Sequence, residues 1–303
     1  MRRVPLGASG FAPALAAAVL ALRAGSAAAC GTCGAGDPSL TAAGTEQPFA
    51  GRQRATLELS YRTDRIGRDG FDRLDIREAR ATTTLAYAVN AQLFALLSVP
   101  TVYRRVQEVN LAVHEQWSLG DIEARGKWFF FRDRPFQPRF LAALQLGFKF
   151  PTAPFRTGTT APPWPLEAQT GTGSWDLLAG PALAVFAAPV SFYLSAQWAE
   201  PLYSRRELHP GRAVRSTLAG QYQFASWVAL RVAHDTRLEA RTRETLGTDP
   251  NSGGFVAYAG GDVLLSLHPN WLLSLGARLP WFQGMHGAHR EGPIFAVALT
   301  LDR

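Results

Sequence analysis

The amino-acid sequence predicts an all-β protein, a transmembrane antiparallel up-and-down β-barrel of about twelve strands. Three observations predict this fold class. Segments between positions 52 and 303 alternate apolar with polar side chains, the junctions between them are alternately tight and long, and aromatic residues gather at both ends of the segments. Period-two alternation is typical of strands. Short turns on one side and longer loops on the other are typical of outer-membrane barrels.

The alternation is regular within single segments. The first places apolar side chains on one face, Ala55, Leu57, Leu59 and Tyr61, and polar ones on the other, Arg54, Thr56, Glu58, Ser60 and Arg62. Segment 121–130 carries four charges on one face: Asp121, Glu123, Arg125 and Lys127. A strand face with four charges is incompatible with a dry core. An apolar face of about ten tilted residues spans roughly 25 Å, the height of the hydrocarbon core of a bilayer.

The order of junctions predicts an even number of strands. We expect strands near 53–64, 73–89, 92–105, 118–131, 138–150, 174–187, 190–203, 212–224, 227–239, 254–267, 270–282 and 290–301. Junctions after the even strands are tight, and those after the odd strands are long, including 106–116, 151–173 and 283–291. Both chain ends then lie on the periplasmic side, with the long loops outside.

Aromatic residues sort into two predicted girdles, which are typical of the membrane interfaces. Beside the tight turns lie Trp128, Phe140, Phe192, Phe224, Trp227 and Trp271, and beside the long loops lie Tyr61, Tyr103, Phe150, Trp175, Trp198 and Trp281.

The N-terminal region predicts export. Residues 1–29 combine Arg2 and Arg3 with an apolar stretch and a run of small residues, so we interpret them as a cleaved signal peptide. Residues 30–51 form a periplasmic segment with a C-x-x-C motif, which could also fold into the lumen, and 52–303 form the barrel. We therefore expect the outer membrane of a Gram-negative-type bacterium as the location.

The net charge of +7 does not indicate nucleic-acid binding. The arginines recur on alternating strand faces and among acidic residues, whereas a nucleic-acid-binding protein concentrates them in one basic stripe. A hydrated, charged barrel interior with polar loops explains the composition.

Three stretches resemble a known family. Leu146 to Thr152, then a polar loop and Gly171 to Asp176, together with Ser252 to Phe255 and Leu279-Pro280, are similar to the outer-membrane β-barrel proteins labelled as MetA-pathway phenol-degradation transporters. Ala153 stands where that family has glycine. The resemblance implies a channel for passive uptake of small solutes, including hydrophobic or aromatic compounds, distantly like the long-chain fatty-acid transporters. It assigns no ligand residue.

The polar strand faces supply the candidate lumen-lining residues. They are Arg54, Glu58, Arg62, Glu78, Arg80, Asp121, Glu123, Arg125, Lys127, Lys149, Arg215, Arg231, Asp235, Arg237 and Arg278. An excess of Arg and Lys in a narrow passage favours anions. Alternatively, opposite charges on neighbouring strands pair and fill the interior, because a barrel of about twelve strands lies between filled small barrels and open porins.

The two cysteines, Cys30 and Cys33, leave several chemistries open. In an oxidising compartment they can form a disulfide, bind a soft metal, exchange thiols or, at Cys30, carry a lipid. Two ligands do not complete a zinc site, so no metal is assigned. His286 and His289 form a weak candidate metal pair in an external loop, where we expect them to be solvated.

No catalytic pair is evident in the sequence. His234 and Asp235 are adjacent and point to opposite faces of a strand, and no H-x-S motif occurs. We expect neither an enzyme nor a cofactor.

We therefore expect an outer-membrane channel whose partners are the lipid bilayer, the barrel-assembly machinery and an unidentified small solute. The alternative is a non-conducting barrel scaffold whose external loops, above all 151–173, bind a ligand or partner.

Overall fold

The structure is a computed structural model that describes residues 50–135, 137–155, 165–204, 208–244 and 247–303. The predicted signal peptide 1–29, nearly all of the segment 30–51, and Cys30 and Cys33 lie outside the described residues. Their assignments therefore stay predictions.

Twelve strands form the wall of the barrel in the described part of the chain. They are β1 (Gln53–Ile66), β2 (Leu74–Ala88), β3 (Leu93–Glu108), β4 in two segments, β4a (Val113–Leu119) and β4b (Ile122–Arg132), β5 (Phe140–Phe150), β6 (Ser174–Ala187), β7 (Val190–Ser204), β8 (Ala213–Ala225), β9 (Val228–Glu239), β10 (Gly254–His268), β11 (Trp271–Met285) and β12 (Arg290–Asp302). A 3-10 turn, Leu166–Ala168, and a small hairpin, Arg243–Glu244 with Gly247–Thr248, lie in the loops.

Each strand pairs antiparallel with its neighbours in the chain, and β12 pairs with β1 to close the ring. Tyr61 lies opposite Phe295 at this closure and opposite Ala79 on β2. Both halves of β4 pair with β3, so they act as one strand. The predicted all-β, up-and-down barrel is confirmed.

The two faces of the wall separate as the alternation predicts. On β1 the outward Leu57 and Leu59 are 45% and 51% exposed, whereas the inward Thr56 and Arg62 are 7% and 6% exposed. Apolar exposure of this extent around a closed barrel is what a lipid-facing surface requires. No helix among the described residues is long and apolar enough to cross a bilayer.

The outward aromatic residues occupy the two ends of the strands. Those beside the short turns include Trp128, Phe192, Phe224, Trp227 and Trp271, and those beside the long loops include Tyr61, Trp175, Trp198 and Trp281, all exposed. Several pack edge to face, as Phe150 does with Trp175 at 5.0 Å between ring centroids. This arrangement corresponds to the two girdles expected at membrane interfaces.

Two junctions differ from the sequence prediction. The loops after β3 and β11 span only residues 109–112 and 286–289, because β4 begins at Val113 and β11 extends to Met285. Segment 113–119 contains Glu115 on its outward face and ends before Gly120, so its alternation is weak in the sequence. Pairing with β3 nevertheless holds it in the wall, from Gln107 opposite Val113 to Thr101 opposite Leu119.

The upper edge of β4 is unusual. β4a pairs with β3 on one side, but no described strand pairs with its other side, because β5 ends at Phe150 opposite Ile122. Pro151 follows and has no N–H to continue a ladder. The chain after β5 therefore leaves the wall at this height.

Candidate functional site

The long loop between β5 and β6 enters the mouth of the barrel. Ala168 is 1% exposed and packs in a cluster with Ile66, Ile76 and Val106, which line the top of β1, β2 and β3. Leu166 is fully buried. The expectation that 151–173 is an external loop is therefore wrong for its described C-terminal part, because apolar and amide groups of residues 165–172 find partners inside the barrel.

Asp121, in the break between β4a and β4b, anchors this inward segment. Its carboxylate accepts hydrogen bonds from the backbone N–H and hydroxyl of Thr172, at 2.7 and 3.0 Å, and from the N–H of Ala153 at 3.2 Å. Charge-assisted bonds of this kind are stronger than neutral ones. Thr152 also bridges the break, since its hydroxyl donates to Gly120 O at 2.7 Å. Both ends of the described loop are thus tied to one point of the wall.

Close approach at this point requires glycine. A Cβ on Gly171 would overlap Ala153 and the carboxylate of Asp121. Gly276 shows the same requirement deeper in the interior, where a Cβ would overlap the carboxylate of Asp262. Both glycines therefore make room for an interior carboxylate.

Glu78 on β2 is the centre of a first charge network below the inward loop. It is 2% exposed and accepts from Arg62 at 3.2 Å, from Arg80 at 3.0 Å and from Arg104. Arg104 is 1% exposed and also donates to the backbone carbonyl of Gln169 in the loop. Charged groups withdrawn from water to this extent are stable only when several partners compensate them, and Glu78 has three.

A second network lies under the loops of β9 to β12. Arg237 contacts Glu239 at 3.0 Å and also Glu291, and Glu291 accepts from the hydroxyl of Tyr258. All four side chains are buried. This network joins β9, β10 and β12 across the interior.

A third network crosses β9, β10 and β11 at mid-height. Arg278 contacts Asp235 and Asp262, each at 2.8 Å, and Arg231 contacts Asp262 at 2.8 Å. Thr217 on β8 donates to Asp235 at 2.6 Å. Four strands are thus connected by two carboxylates.

Smaller pairs complete the charged interior. Lys149 pairs with Asp176, and Arg125 with Glu123. At the short-turn end Asp302 accepts from Arg52 at 2.7 Å and Arg54 at 2.8 Å.

All fifteen sequence-predicted residues lie on the inward face of the wall. Nine are buried, namely Arg62, Glu78, Asp121, Arg125, Lys127, Lys149, Arg231, Asp235 and Arg237, and six are half-buried, namely Arg54, Glu58, Arg80, Glu123, Arg215 and Arg278. Lys127 lies over the ring of Phe129 at 5.3 Å from its centroid. That these residues line a solute path stays a prediction.

Among the described residues, eight charged side chains of these interior pairs and networks are missing from the sequence-predicted list. Six are carboxylates, Asp64, Asp176, Glu239, Asp262, Glu291 and Asp302, and two are arginines, Arg52 and Arg104. The predicted list holds ten cations and five acids, so the added carboxylates bring the interior close to charge balance. The expected excess of interior cations, and with it the preference for anions, is therefore not supported. Most of these residues lie two positions from another inward residue of the same strand, so the alternation of faces was the signal that could have identified them.

The short-turn half of the interior carries an apolar cluster on β2 to β9, although Lys127 lies opposite Phe94 there and the charged Asp302 contacts lie beside β1. Its buried cluster is formed by Ala88, Phe94, Phe129, Leu141, Ala143, Ala182, Ala184, Tyr193, Ala219 and Ala233, with Leu96 and Phe186 packed against it. Phe94 meets Phe129 edge to face at 5.8 Å, and Phe186 meets Tyr193 likewise at 5.9 Å. Aromatic rings therefore face the interior on β3, β4, β6 and β7.

The histidines behave differently from one another. His289, expected to be solvated, is 5% exposed, and burial lowers its pKa to about 4 although Asp64 acts in the opposite direction. His286 is half-buried, and no cluster of three metal-ligating side chains occurs in the described ranges. His234 faces outward against Trp281, at 5.7 Å between rings, while Asp235 faces inward, so they form no dyad.

A closed ring of twelve antiparallel strands, apolar outside and charged inside, defines a transmembrane β-barrel. No family model matches the sequence, and no curated protein matches it either.

Two solved structures are similar to this barrel to different degrees. An outer membrane channel from Pseudomonas putida F1 is 11% identical and superposes with a TM-score of 0.64 over 88% of this chain and 100% of its own. The toluene transporter TbuX of Ralstonia pickettii is 9% identical, with a TM-score of 0.41 over 90% of this chain and 96% of its own. Only the first superposition is close enough to establish a common fold.

Proposed function

We propose that this protein is an outer-membrane channel for the passive uptake of small solutes. The observation that carries the proposal is the apolar, lipid-facing outer surface of a closed barrel whose interior is lined by charged side chains toward the long loops and by an apolar cluster toward the short turns. The shared fold with an outer membrane channel supports it. The lipid bilayer of the outer membrane is then its environment, and the barrel-assembly machinery inserts it.

Small hydrophobic or aromatic compounds are the solute class that the interior favours. The rings of Phe94, Phe129, Phe186 and Tyr193 make the short-turn half an apolar environment that suits an aromatic solute better than an ion. Phe129 and Tyr193 are 2% exposed, so a passing solute must displace part of their present packing. The mouth above them is charged but internally paired, so it offers no unbalanced attraction to ions. The interior residues have no catalytic role in this proposal.

The test compares ion conductance with aromatic uptake. Refolded protein is inserted in planar bilayers to record conductance, and in liposomes to measure entry of toluene against entry of a sugar of similar volume. We expect toluene entry above that of empty liposomes, together with reproducible conductance steps. The replacement Phe129→Ser should lower the preference for toluene over the sugar, whereas Phe130→Ser, on the outward face of the same strand, should not.

The alternative is a non-conducting scaffold whose loops bind a ligand or partner. It is favoured if the protein keeps its heat-modifiable mobility on gels, which reports the folded barrel, but gives neither conductance nor solute entry. That result would reject the channel.

A further inference from the structure

The outer surface above the upper aromatic girdle carries a compact group of arginines. Arg65 on β1, Arg77 on β2, Arg105 on β3 and Arg290 on β12 all point outward, and we call them the arginine patch. Their chain neighbours Ile66, Glu78, Arg104 and Glu291 are buried in the interior, which fixes the outward direction of the four arginines.

The strand register places the four arginines side by side. Arg65 lies directly opposite Arg290, and Arg77 lies directly opposite Arg105. Arg77 is also the diagonal neighbour of Arg65, whose direct partner on β2 is Asp75. Directly opposed side chains have Cβ atoms about 5 Å apart and diagonal ones about 7–8 Å. The patch is therefore continuous across four strands.

Two directly opposed like-charged pairs are destabilising by themselves. The nearby carboxylates compensate them only in part. Arg65 contacts Asp75 at 3.2 Å, but Asp75 also accepts from Arg73. Arg105 approaches Glu115 at 3.8 Å, and both side chains are more than 40% exposed. Within the described residues Arg77 and Arg290 contact no carboxylate, so the patch keeps a net positive charge.

The height of the patch identifies its surroundings. Arg65 is four residues beyond Tyr61 on the same outward face, which corresponds to about 10 Å along the membrane normal for a tilted strand. Arg105 lies two residues beyond Tyr103, whose ring packs at a tilt against Trp117 with 4.9 Å between the ring centroids. The arginines thus lie just outside the aromatic girdle, at the level of lipid head groups. On the long-loop side of an outer-membrane barrel these head groups belong to the outer leaflet.

We propose that the arginine patch binds the phosphate groups of a lipid A-type glycolipid in the outer leaflet. Guanidinium groups recognise phosphate through paired hydrogen bonds, and an anion between two opposed arginines removes their repulsion. Four adjacent arginines match a head group that carries two phosphates. The inference rests on the proposed location in the outer membrane but not on conduction.

The test removes the two arginines that have no described carboxylate partner. Folded protein in detergent is titrated with purified lipid A, and bound lipid is counted by native mass spectrometry. The double variant Arg77→Gln/Arg290→Gln should bind lipid A about 30-fold more weakly, since each arginine near a membrane surface contributes a factor of about five. Heat-modifiable mobility on gels verifies that each variant is folded.

A matched control removes two other exposed arginines. Arg139 lies at a short turn, and Arg212 lies over the ring of Trp198 on the opposite wall, 5.7 Å from its centroid. Arg139→Gln/Arg212→Gln makes the same change in net charge and should leave the affinity for lipid A within twofold of the parent. If both double variants bind lipid A equally weakly, the loss of affinity depends on the total charge of the protein and not on the arginine patch, and the proposal is overturned.

The phosphate source is tested by changing the ligand. Monophosphoryl lipid A should bind more weakly than the diphosphoryl form to the parent protein, and this difference should shrink in Arg77→Gln/Arg290→Gln. Inorganic phosphate at the same concentration should not displace lipid A; displacement would indicate a general anion site and overturn the lipid assignment. If the protein binds lipid A through these arginines but shows neither conductance nor solute entry, the channel function is rejected and the lipid A site is retained.

Discussion

The two halves of the barrel interior are built on different principles. From mid-height up to the long loops the interior holds ion pairs, which connect as many as four strands around Asp235 and Asp262. The short-turn half, on β2 to β9, holds alanine and aromatic side chains. A charged network fails as a unit when one member lacks a partner, whereas apolar packing loses stability in proportion to the volume removed. Substitutions in the two halves should therefore differ in size and in kind.

The largest loss of stability is expected from Glu78→Gln in the upper half. The variant leaves Arg62, Arg80 and Arg104 close together without their shared carboxylate. Breaking a buried ion pair costs about 3–5 kcal/mol. The free energy of unfolding in urea, measured in phospholipid vesicles, should fall by this amount. As a control, Glu200→Gln on the outward side should change it little; a similar small change for Glu78→Gln would mean that water compensates the arginines.

A smaller loss is expected from Leu141→Ala in the lower half. Leu141 is 1% exposed, so its truncation leaves a cavity worth about 3 kcal/mol. The same vesicle unfolding assay applies. Leu144→Ala on the outward face of β5 is the matched control, since lipid chains fill the space there. If both variants cost the same, the lower interior is not tightly packed.

The connection between the wall and the inward loop should respond to Asp121→Asn. The amide loses the negative charge that holds Thr172 and Ala153, and charge-assisted bonds contribute about 1.5–3 kcal/mol. Amide hydrogen exchange in 165–173 should become faster while exchange in the strands is unchanged. Asp133→Asn removes a carboxylate at the other end of the barrel, where the N–H groups of Phe140 and Arg139 lower the pKa of Asp133, and should not affect 165–173. Unchanged exchange in Asp121→Asn would show that apolar packing alone holds the loop.

The smallest effect depends on pH. Burial holds the pKa of His289 near 4 in the folded protein, below the ordinary value of 6.5. The unfolded state therefore binds the extra proton first, so stability is complete above pH 6.5 and decreases as the pH falls toward 4. His289→Gln should reduce this decrease, whereas His268→Gln, at an exposed short turn, should not. The free energy of unfolding between pH 7 and 4 checks it, and identical pH profiles for the parent and His289→Gln would contradict it.

Sequence reasoning was sufficient for the wall and insufficient for the interior. Alternation alone places Leu57 on the outward face and Arg62 on the inward face, because the lipid-facing surface is apolar and this part of the interior is polar. Arg104 was hidden because its inward neighbours Val102 and Val106 are apolar. Asp262 was hidden because it follows Gly260 and Gly261, which break the alternation.

The inward course of 165–172 depends on tertiary partners. Its segment contains polar and small residues that would suit solvent equally well. The segment is held inward by hydrogen bonds to the carboxylate of Asp121 and by apolar contacts with the top of β1 to β3. Pairing of interior charges likewise depends on the register of adjacent strands, which places Arg62 opposite Glu78 and Arg231 opposite Asp262, and a single sequence carries no direct signal for that register.

The contact of Asp302 with Arg52 and Arg54 joins positions about 250 residues apart in the chain. It can form only after every strand has been synthesised and the ring has closed. The contact therefore reports ring closure: an assembly intermediate in which β12 has not yet paired with β1 lacks it even when every other strand is in place.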